Sequence, residues 1–172
     1  VACGDVILGL ASDGLHSNGY SLARKVLLEI GGYSVDTHLA ELGCTVGEAL
    51  LTPTRLYAPA ILSALDAGVV PHALAHITGG GLPDNVARCI PSGLCAVIEK
   101  ESFPRAPIFD LIRRIGNVDE PEMYRTFNMG IGMVAICSPD KAGAMRSALE
   151  ACGETVYEIG RIEGDCEKVR LV

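Results

Sequence analysis

The chain opens on a near-continuous apolar run, GDVILGLA (Gly4 to Ala11), built of β-prone residues with no polar alternation. That pattern predicts a strand buried on both faces. Polar residues then take over in SDGLHSNG (Ser12 to Gly19), and apolar positions return at helical spacing in YSLARKVLLEIGG, where Leu22, Val26 and Ile30 form one stripe with Ala23 and Leu27 beside it. A helix follows from this, capped by Ser17 or Asn18 and stopped at Gly31 and Gly32. Residues 33–54 read as an irregular connection holding a short helix near Val46 to Leu51 and closed by Pro53. A second helix is predicted from Arg55 to Ala67, with Leu56, Ala60, Ala64 and Leu65 inward and Pro59 near its first turn.

The same strand, loop and helix sequence then occurs again. HALAHI (His72 to Ile77) is a short alternating strand, TGGG a glycine loop, and LPDNVARCI a helix with Leu82, Val86 and Ile90 on one side and Pro83 in its first turn. LCAVIE (Leu94 to Glu99) is another strand, IFDLIRRIG a helix with Ile108, Leu111, Ile112 and Ile115 inward, and MGIGMVAIC (Met129 to Cys137) a glycine-bearing strand. SPDKAGAMRSALEACG reads as a helix from Ser138-Pro139 to Gly153, and ETVYEIGRIE and KVRLV as terminal strands. Alternating strands and helices with no repeat period predict one α/β or α+β layered domain.

Composition narrows the class. The chain has 172 residues, 49% hydrophobic and 20% charged, as expected of a single globular domain able to bury a core. No apolar run approaches the ~18 residues that span a bilayer, and no basic-then-apolar export signal opens the chain, so a cytoplasmic protein without membrane association is expected. A net charge of −7 without clustered Lys or Arg argues against nucleic acid as partner. Cys3, Cys44, Cys89, Cys95, Cys137, Cys152 and Cys166 are scattered with no C-x-x-C, which argues against a disulfide framework or a metal site and suits a reducing compartment. The abrupt start at the first strand reads as a cut.

Chemistry collects in the two loops. SDGLHSNG and TGGG each leave a strand and enter a helix, which directs backbone N–H groups toward an anion on one side of a sheet. Each carries a histidine, His16 within the first loop and His76 two residues before the second. Taken singly, a glycine-rich turn is most often only a turn, and a histidine in a strand most often a satisfied core residue. Neither a Walker A nor a complete G-x-G-x-x-G pattern is present, and there is no H-E-x-x-H. Glu120, Glu122 and Arg125 in RRIGNVDEPEMYRTF predict a solvated face or surface ion pairs, and Met129 and Met133 predict core.

Taken together, GDVILGLASDGLHSNGYSLARKVL, LLTPTRLY, HALAHITGGGLPDNVARCIP and GNVDEPEMYRTFNMGIGMVAI resemble, in order and spacing, the C-terminal half of the aminoimidazole ribonucleotide synthetase (phosphoribosylformylglycinamidine cyclo-ligase) family. The likeness runs from about Gly4 to the final strands. It implies ATP-dependent ring closure of formylglycinamidine ribonucleotide to aminoimidazole ribonucleotide, with ADP and phosphate released, in de novo purine synthesis. It also implies an α+β domain in α/β/α layers with a mixed sheet, partly ferredoxin-like, an N-terminal ATP-binding domain that holds most of the ATP and Mg²⁺ and is not matched here, and a homodimeric full-length enzyme. An isolated C-terminal domain, residues 1–172, is expected to be inactive alone.

Carried across residue by residue, the resemblance places His16, Asn18 and His76 beside the reacting groups, His16 to polarise or protonate and Asn18 to position. Ser17, Gly19, Thr78, Gly79, Gly80 and Gly81 would bind the phosphorylated small-molecule substrate, through either its ribose phosphate or the ATP end. Asp13, which departs from the Ser-Ser-Gly that many members of the resembled family carry at Ser12-Asp13-Gly14, is expected to form a turn. The rival readings are another ATP-using member of the superfamily, such as formylglycinamidine synthetase, selenophosphate synthetase, thiamine-monophosphate kinase or a hydrogenase-maturation protein, and a non-catalytic binding or assembly module.

Overall fold

The structure, a computed structural model, describes residues 1–164 and 168–172. Its centre is a six-stranded sheet of β1 (Val6–Ala11), β4 (Ala73–His76), β5 (Leu94–Ile98), β6 (Ile131–Cys137), β7 (Val156–Gly164) and β8 (Val169–Leu171), in the order β4-β6-β1-β7-β5-β8. Neighbours are antiparallel except β5 and β8, which run parallel, so the sheet is mixed as expected. A small antiparallel ladder joins β2 (His38–Leu39) to β3 (Cys44–Thr45).

Successive residues of the central strands feed opposite cores, because side chains alternate across a strand. On β1, Ile7 enters one cluster while Leu8 and Leu10 enter the other; on β6, Ile131, Val134 and Ile136 oppose Ala135 and Cys137. The larger cluster is roofed by α1 (Tyr20–Arg24) with its π-helical continuation Lys25–Ile30, α2 (Val46–Leu51), α4 (Gly81–Ala87), α5 (Pro107–Gly116) and α6 (Glu120–Thr126). The smaller lies under α3 (Ala58–Asp66) and α7 (Pro139–Ala151). Fully burying an aliphatic or aromatic side chain stabilises by ~1.5–3 kcal/mol, so the doubly covered sheet is the main source of stability. The α/β/α layering that the resemblance implied is the fold observed.

Several local expectations need correction. The first helix buries Ala23, Val26 and Leu27 and leaves Ile30 55% exposed. From Lys25 the backbone winds as a π-helix, with Gly31 N–H on Val26 O at 2.8 Å, and the wider turn rotates Ile30 away from the core while Val26 stays buried. Neither Ser17 nor Asn18 caps it; the position falls to Gly19, whose φ of 76° suits glycine. The helix expected from Arg55 begins at Ala58, because Pro59 is tolerated only in a first turn, and Leu56 is 80% exposed where an inward position was predicted. Helix α6 falls in a segment read as a charged face: Glu120 does pair with Lys100 at 3.0 Å, but Met123 and Tyr124 are buried. The cysteines Cys3, Cys44, Cys89, Cys137 and Cys152 are free thiols, whereas Cys95 is disulfide-bonded, contrary to expectation; Cys166 lies outside the described residues.

Candidate functional site

Strand directions decide where the loops meet. Both β1 and β4 are antiparallel to β6, hence parallel to each other, so the loops that follow them leave the same end of the sheet. The starts of β6 and β7 reach that end too, since each runs against β1. The carbonyl-rich ends of two strands and the entry turns of two others thus enclose the candidate site.

The Ser12–Gly19 loop is held from behind by Asn128, which is 1% exposed and lies just ahead of β6. Its Nδ2 donates to Gly14 O at 2.8 Å, and its Oδ1 accepts from Ser12 Oγ at 2.8 Å and from Gly130 N–H at 2.9 Å. Ser12 N–H also donates to Gly130 O at 2.9 Å. From the side, Arg55 fastens the loop with its whole guanidinium: Nη1 donates to Asp13 Oδ1 at 2.8 Å, Nε to Glu154 Oε2 at 2.7 Å, and Nη2 to Gly153 O at 2.9 Å. Asp13 is therefore one arm of an ion-pair network as well as a turn residue.

His16 sits inside this frame, 3% exposed and at φ 54°, in the left-handed region. Its Nε2 accepts from Asp13 N–H at 3.2 Å and, at the longer distance of 3.5 Å, from Arg55 N–H, while Nδ1 is enclosed with no partner among the described residues. Burial lowers its pKa below the usual histidine value; Asp13 opposes that shift, and the nearby His76 and Arg55 add to it. Tyr57 lies between the two histidines, its ring centroid 6.1 Å from His16 and 6.2 Å from His76, and donates to Ala11 O at 2.7 Å. Burial, with Glu154 nearby, pushes its phenol far above the ordinary tyrosine range, so it stays protonated. His76 is exposed, not core, and with Arg55, Tyr57, Ile61 and Met133 it lines an apolar pocket of about 470 Å³.

A second buried asparagine organises the TGGG loop. Asn85, 3% exposed, directs Nδ2 at the carbonyls of Gly81 (2.8 Å), Thr78 (3.2 Å) and Gly79 (3.3 Å), and accepts from Thr78 Oγ1 at 3.2 Å. With the carbonyls drawn inward, the N–H groups of Gly79 and Gly80 have no acceptor among the described residues, while Gly81 N–H closes the turn on Thr78 O at 3.0 Å. The Asp84 carboxylate stands beside Gly80, within 2.8 Å of where a Cβ would be. Gly81 permits the approach: a Cβ there, at φ 60°, would overlap Tyr124 O at the end of α6.

The structure brings the predicted residues of both loops together at Asn18, whose Oδ1 lies 3.9 Å from the position a Gly79 Cβ would take. Ser17 is exposed and its Oγ hydrogen-bonds Thr54 Oγ1 at 2.9 Å; Gly19 serves the helix start. Sequence reasoning passed over Asn85, Asn128, Arg55 and Tyr57. Each lies within a quoted stretch, but its partners are distant in the chain, and no local signal reports them.

A mixed sheet clad on both faces, with two glycine-bearing strand-to-helix loops converging at one end, defines an α+β layered domain whose polar groups are collected on a single loop edge. The chain belongs to the family described as AIR synthase related protein, C-terminal domain, which matches residues 2–172. It is 50% identical over 169 residues to the phosphoribosylformylglycinamidine cyclo-ligase of Brevibacillus brevis, covering 98% of this chain and 49% of that protein. It is 52% identical over 176 residues to the enzyme of the same name from Anaeromyxobacter sp. strain Fw109-5, covering 99% and 50%. The chain thus spans about half the length of the curated relatives it matches. Among solved structures it is similar to thiamine-monophosphate kinase from Stenotrophomonas maltophilia, with a TM-score of 0.64 at 19% identity over 99% of this chain and 50% of that one. It is also similar to T. maritima PurL complexed with FGAR, at 0.59 and 14% identity over 99% and 26%. These last two likenesses show the fold. No helix among the described residues is long and apolar enough to cross a membrane.

Proposed function

We propose that this chain is the C-terminal half of an ATP-dependent phosphoribosylformylglycinamidine cyclo-ligase, which closes formylglycinamidine ribonucleotide to aminoimidazole ribonucleotide and releases ADP and phosphate. The observation that carries this reading is the identity of about half the residues, along essentially the whole chain, with relatives bearing that name. Kinship with thiamine-monophosphate kinase or PurL is far more distant, at 19% and 14%.

On this reading the loop edge is one wall of the cleft. Gly79 and Gly80 offer N–H donors to a phosphate of the substrate, Thr78 and Gly81 hold the loop shape, and Ser17 and Gly19 set the facing turn. Asn18, next to Gly79, and the exposed His76 meet the reacting groups, with His16 beneath them. ATP, held with Mg²⁺ mainly by an N-terminal domain, would transfer its terminal phosphoryl group to the formamide oxygen, leaving ADP, and that oxygen would depart as phosphate when the neighbouring nitrogen attacks the carbon. Among the described residues no group of three or more His, Cys, Asp or Glu side chains could hold a metal ion, and the contribution of this chain is orientation and hydrogen bonding. The reading carries with it a cytoplasmic enzyme, homodimeric at full length.

The test is aminoimidazole ribonucleotide formation from the formylglycinamidine substrate, ATP and Mg²⁺, by this chain alone and mixed with a separately produced N-terminal half of the Brevibacillus relative. Activity in the mixture only is expected. Stable association of the halves without turnover would refute the reading.

A further inference from the structure

We propose that Arg55 is a positioning residue that fixes His16 as a neutral imidazole carrying its single proton on Nδ1, so that His16 serves the cleft as an oriented hydrogen-bond donor and not as a proton acceptor. The inference rests on the reading that the Ser12–Gly19 loop works in the reacting cleft, and it narrows the role of His16 there from polarising or protonating to donating.

The tautomer follows from the acceptor side of the ring. A ring nitrogen that accepts a backbone N–H carries no proton, and Nε2 accepts from Asp13 N–H at 3.2 Å and from Arg55 N–H at 3.5 Å. The remaining proton is then on Nδ1, an enclosed donor without a partner among the described residues. An unmet buried donor on a residue at φ 54° is doubly unfavourable, and such a geometry persists only where the surroundings dictate it. Arg55 supplies those surroundings. Its backbone touches Nε2, and its side chain holds Asp13, whose N–H is the other donor, while anchoring itself on Glu154 and Gly153. The charged or titratable groups about His16 are Asp13, Arg55, His76, Tyr57 and Tyr20, whose hydroxyl donates to Leu50 O, and none offers Nδ1 an acceptor. His16 also lines a surface pocket of about 350 Å³ with Ser17, Tyr20 and Thr54.

Arg55→Lys keeps the charge but cannot bind Asp13, Glu154 and Gly153 together. Long-range ¹H–¹⁵N correlation on the labelled chain, with the His16 signal identified by its loss in His16→Asn, reports the tautomer. The expected result is a single neutral Nδ1–H form in the wild type and a mixture in Arg55→Lys. In the reconstituted enzyme kcat should fall on the order of tenfold or more with KM changed less than about twofold. If Arg55→Lys does not fold, Asp13→Ala removes one arm of the clamp and should produce the same drift in tautomer. An Nε2–H wild type, or variants that keep the wild-type tautomer, would overturn the inference. The expected tautomers in a wild-type mixture that closes no ring would leave the inference standing and sink the cyclo-ligase reading.

Discussion

Gly132→Ala tests the packing that holds the two histidines apart. The β1–β6 register slips between Leu10, opposite Met133, and Ala11, opposite Ile131, so Gly132 is a bulged residue without a partner on β1. Over it lie Tyr57 and His16: a Cβ would overlap the Tyr57 hydroxyl and approach His16 Cε1 to 2.6 Å and Tyr57 Cζ to 2.8 Å. Neither ring can yield freely, since both are buried and the hydroxyl is bonded to Ala11 O. Overpacking of this kind costs ~1–3 kcal/mol, and breaking the buried Tyr57 hydrogen bond a further ~1–3 kcal/mol. Replacing a strand glycine by alanine returns only ~0.5–1 kcal/mol, so the balance is a loss centred on about 3 kcal/mol, and within about 2–5 kcal/mol unless every term sits at its limit. For a chain of this length, where 1 kcal/mol moves Tm by ~2–4 °C, that corresponds to a fall of roughly 4–20 °C. The measurement is urea and thermal unfolding of wild type, Gly132→Ala, Tyr57→Phe and the double variant. Because Tyr57→Phe removes the atom most overlapped, Gly132→Ala should cost at least ~1 kcal/mol less in its presence. A Gly132→Ala protein within ~0.5 kcal/mol of wild type, or strictly additive variants, would show that the rings do not press on this backbone.

Asn128→Ala removes three hydrogen bonds and leaves Gly14 O and Gly130 N–H without their partner; a loss of about 2–4 kcal/mol in equilibrium unfolding is expected, and a loss below ~1 kcal/mol would contradict the linchpin role. Acid should weaken the fold through His16: its folded pKa is depressed below 6.5, so the unfolded chain binds the proton first and stability falls as pH drops below 6.5 toward the folded value. His16→Asn, which tolerates the left-handed backbone, should remove that part of the slope, and an unchanged stability profile between pH 7 and pH 5 would refute it. Asn85→Asp places a carboxylate oxygen among three carbonyls; on the proposed cyclo-ligase reading, the KM of the reconstituted halves for the ribonucleotide should rise about tenfold or more with the fold intact by circular dichroism, and an unaltered KM would separate Asn85 from substrate binding.

The sequence was most legible where burial alone decides structure. An apolar run such as Val6–Ala11 must feed two cores, and it does. Periodicity was less reliable where backbone geometry departed from the period assumed: the π-helical turns after Arg24 rotated Ile30 outward although its spacing from Val26 suited an α-helix. Helix α6 escaped notice because seven residues with a proline and three charges carry too little apolar signal, yet Met123 and Tyr124 complete the core. At the site, the histidines stood out because the chain has only four, and the glycines because three of them run together in TGGG. Arg55, Asn85 and Asn128 did not, since an arginine or asparagine in a loop is unremarkable until its partners are known. Arg55 reaches Asp13 42 residues away and Glu154 99 residues away, and Asn128 reaches Gly14 across 114.

Those separations explain how a chain of alternating elements yields one precise edge. The loops are short and glycine-bearing, and left to themselves would sample many conformations at an entropic cost of ~1–2 kcal/mol per residue when fixed. What fixes them is carried by residues next to other elements: Asn128 just before β6, Arg55 just before α3, Glu154 just before β7 and Asn85 within α4. Each neighbouring element is anchored in the core, so the polar groups inherit its rigidity, and the loops are set only when the sheet has closed. The site therefore depends on the tertiary fold more than on either loop sequence, and grafting SDGLHSNG or TGGG onto another strand-helix junction would transfer the residues without their geometry.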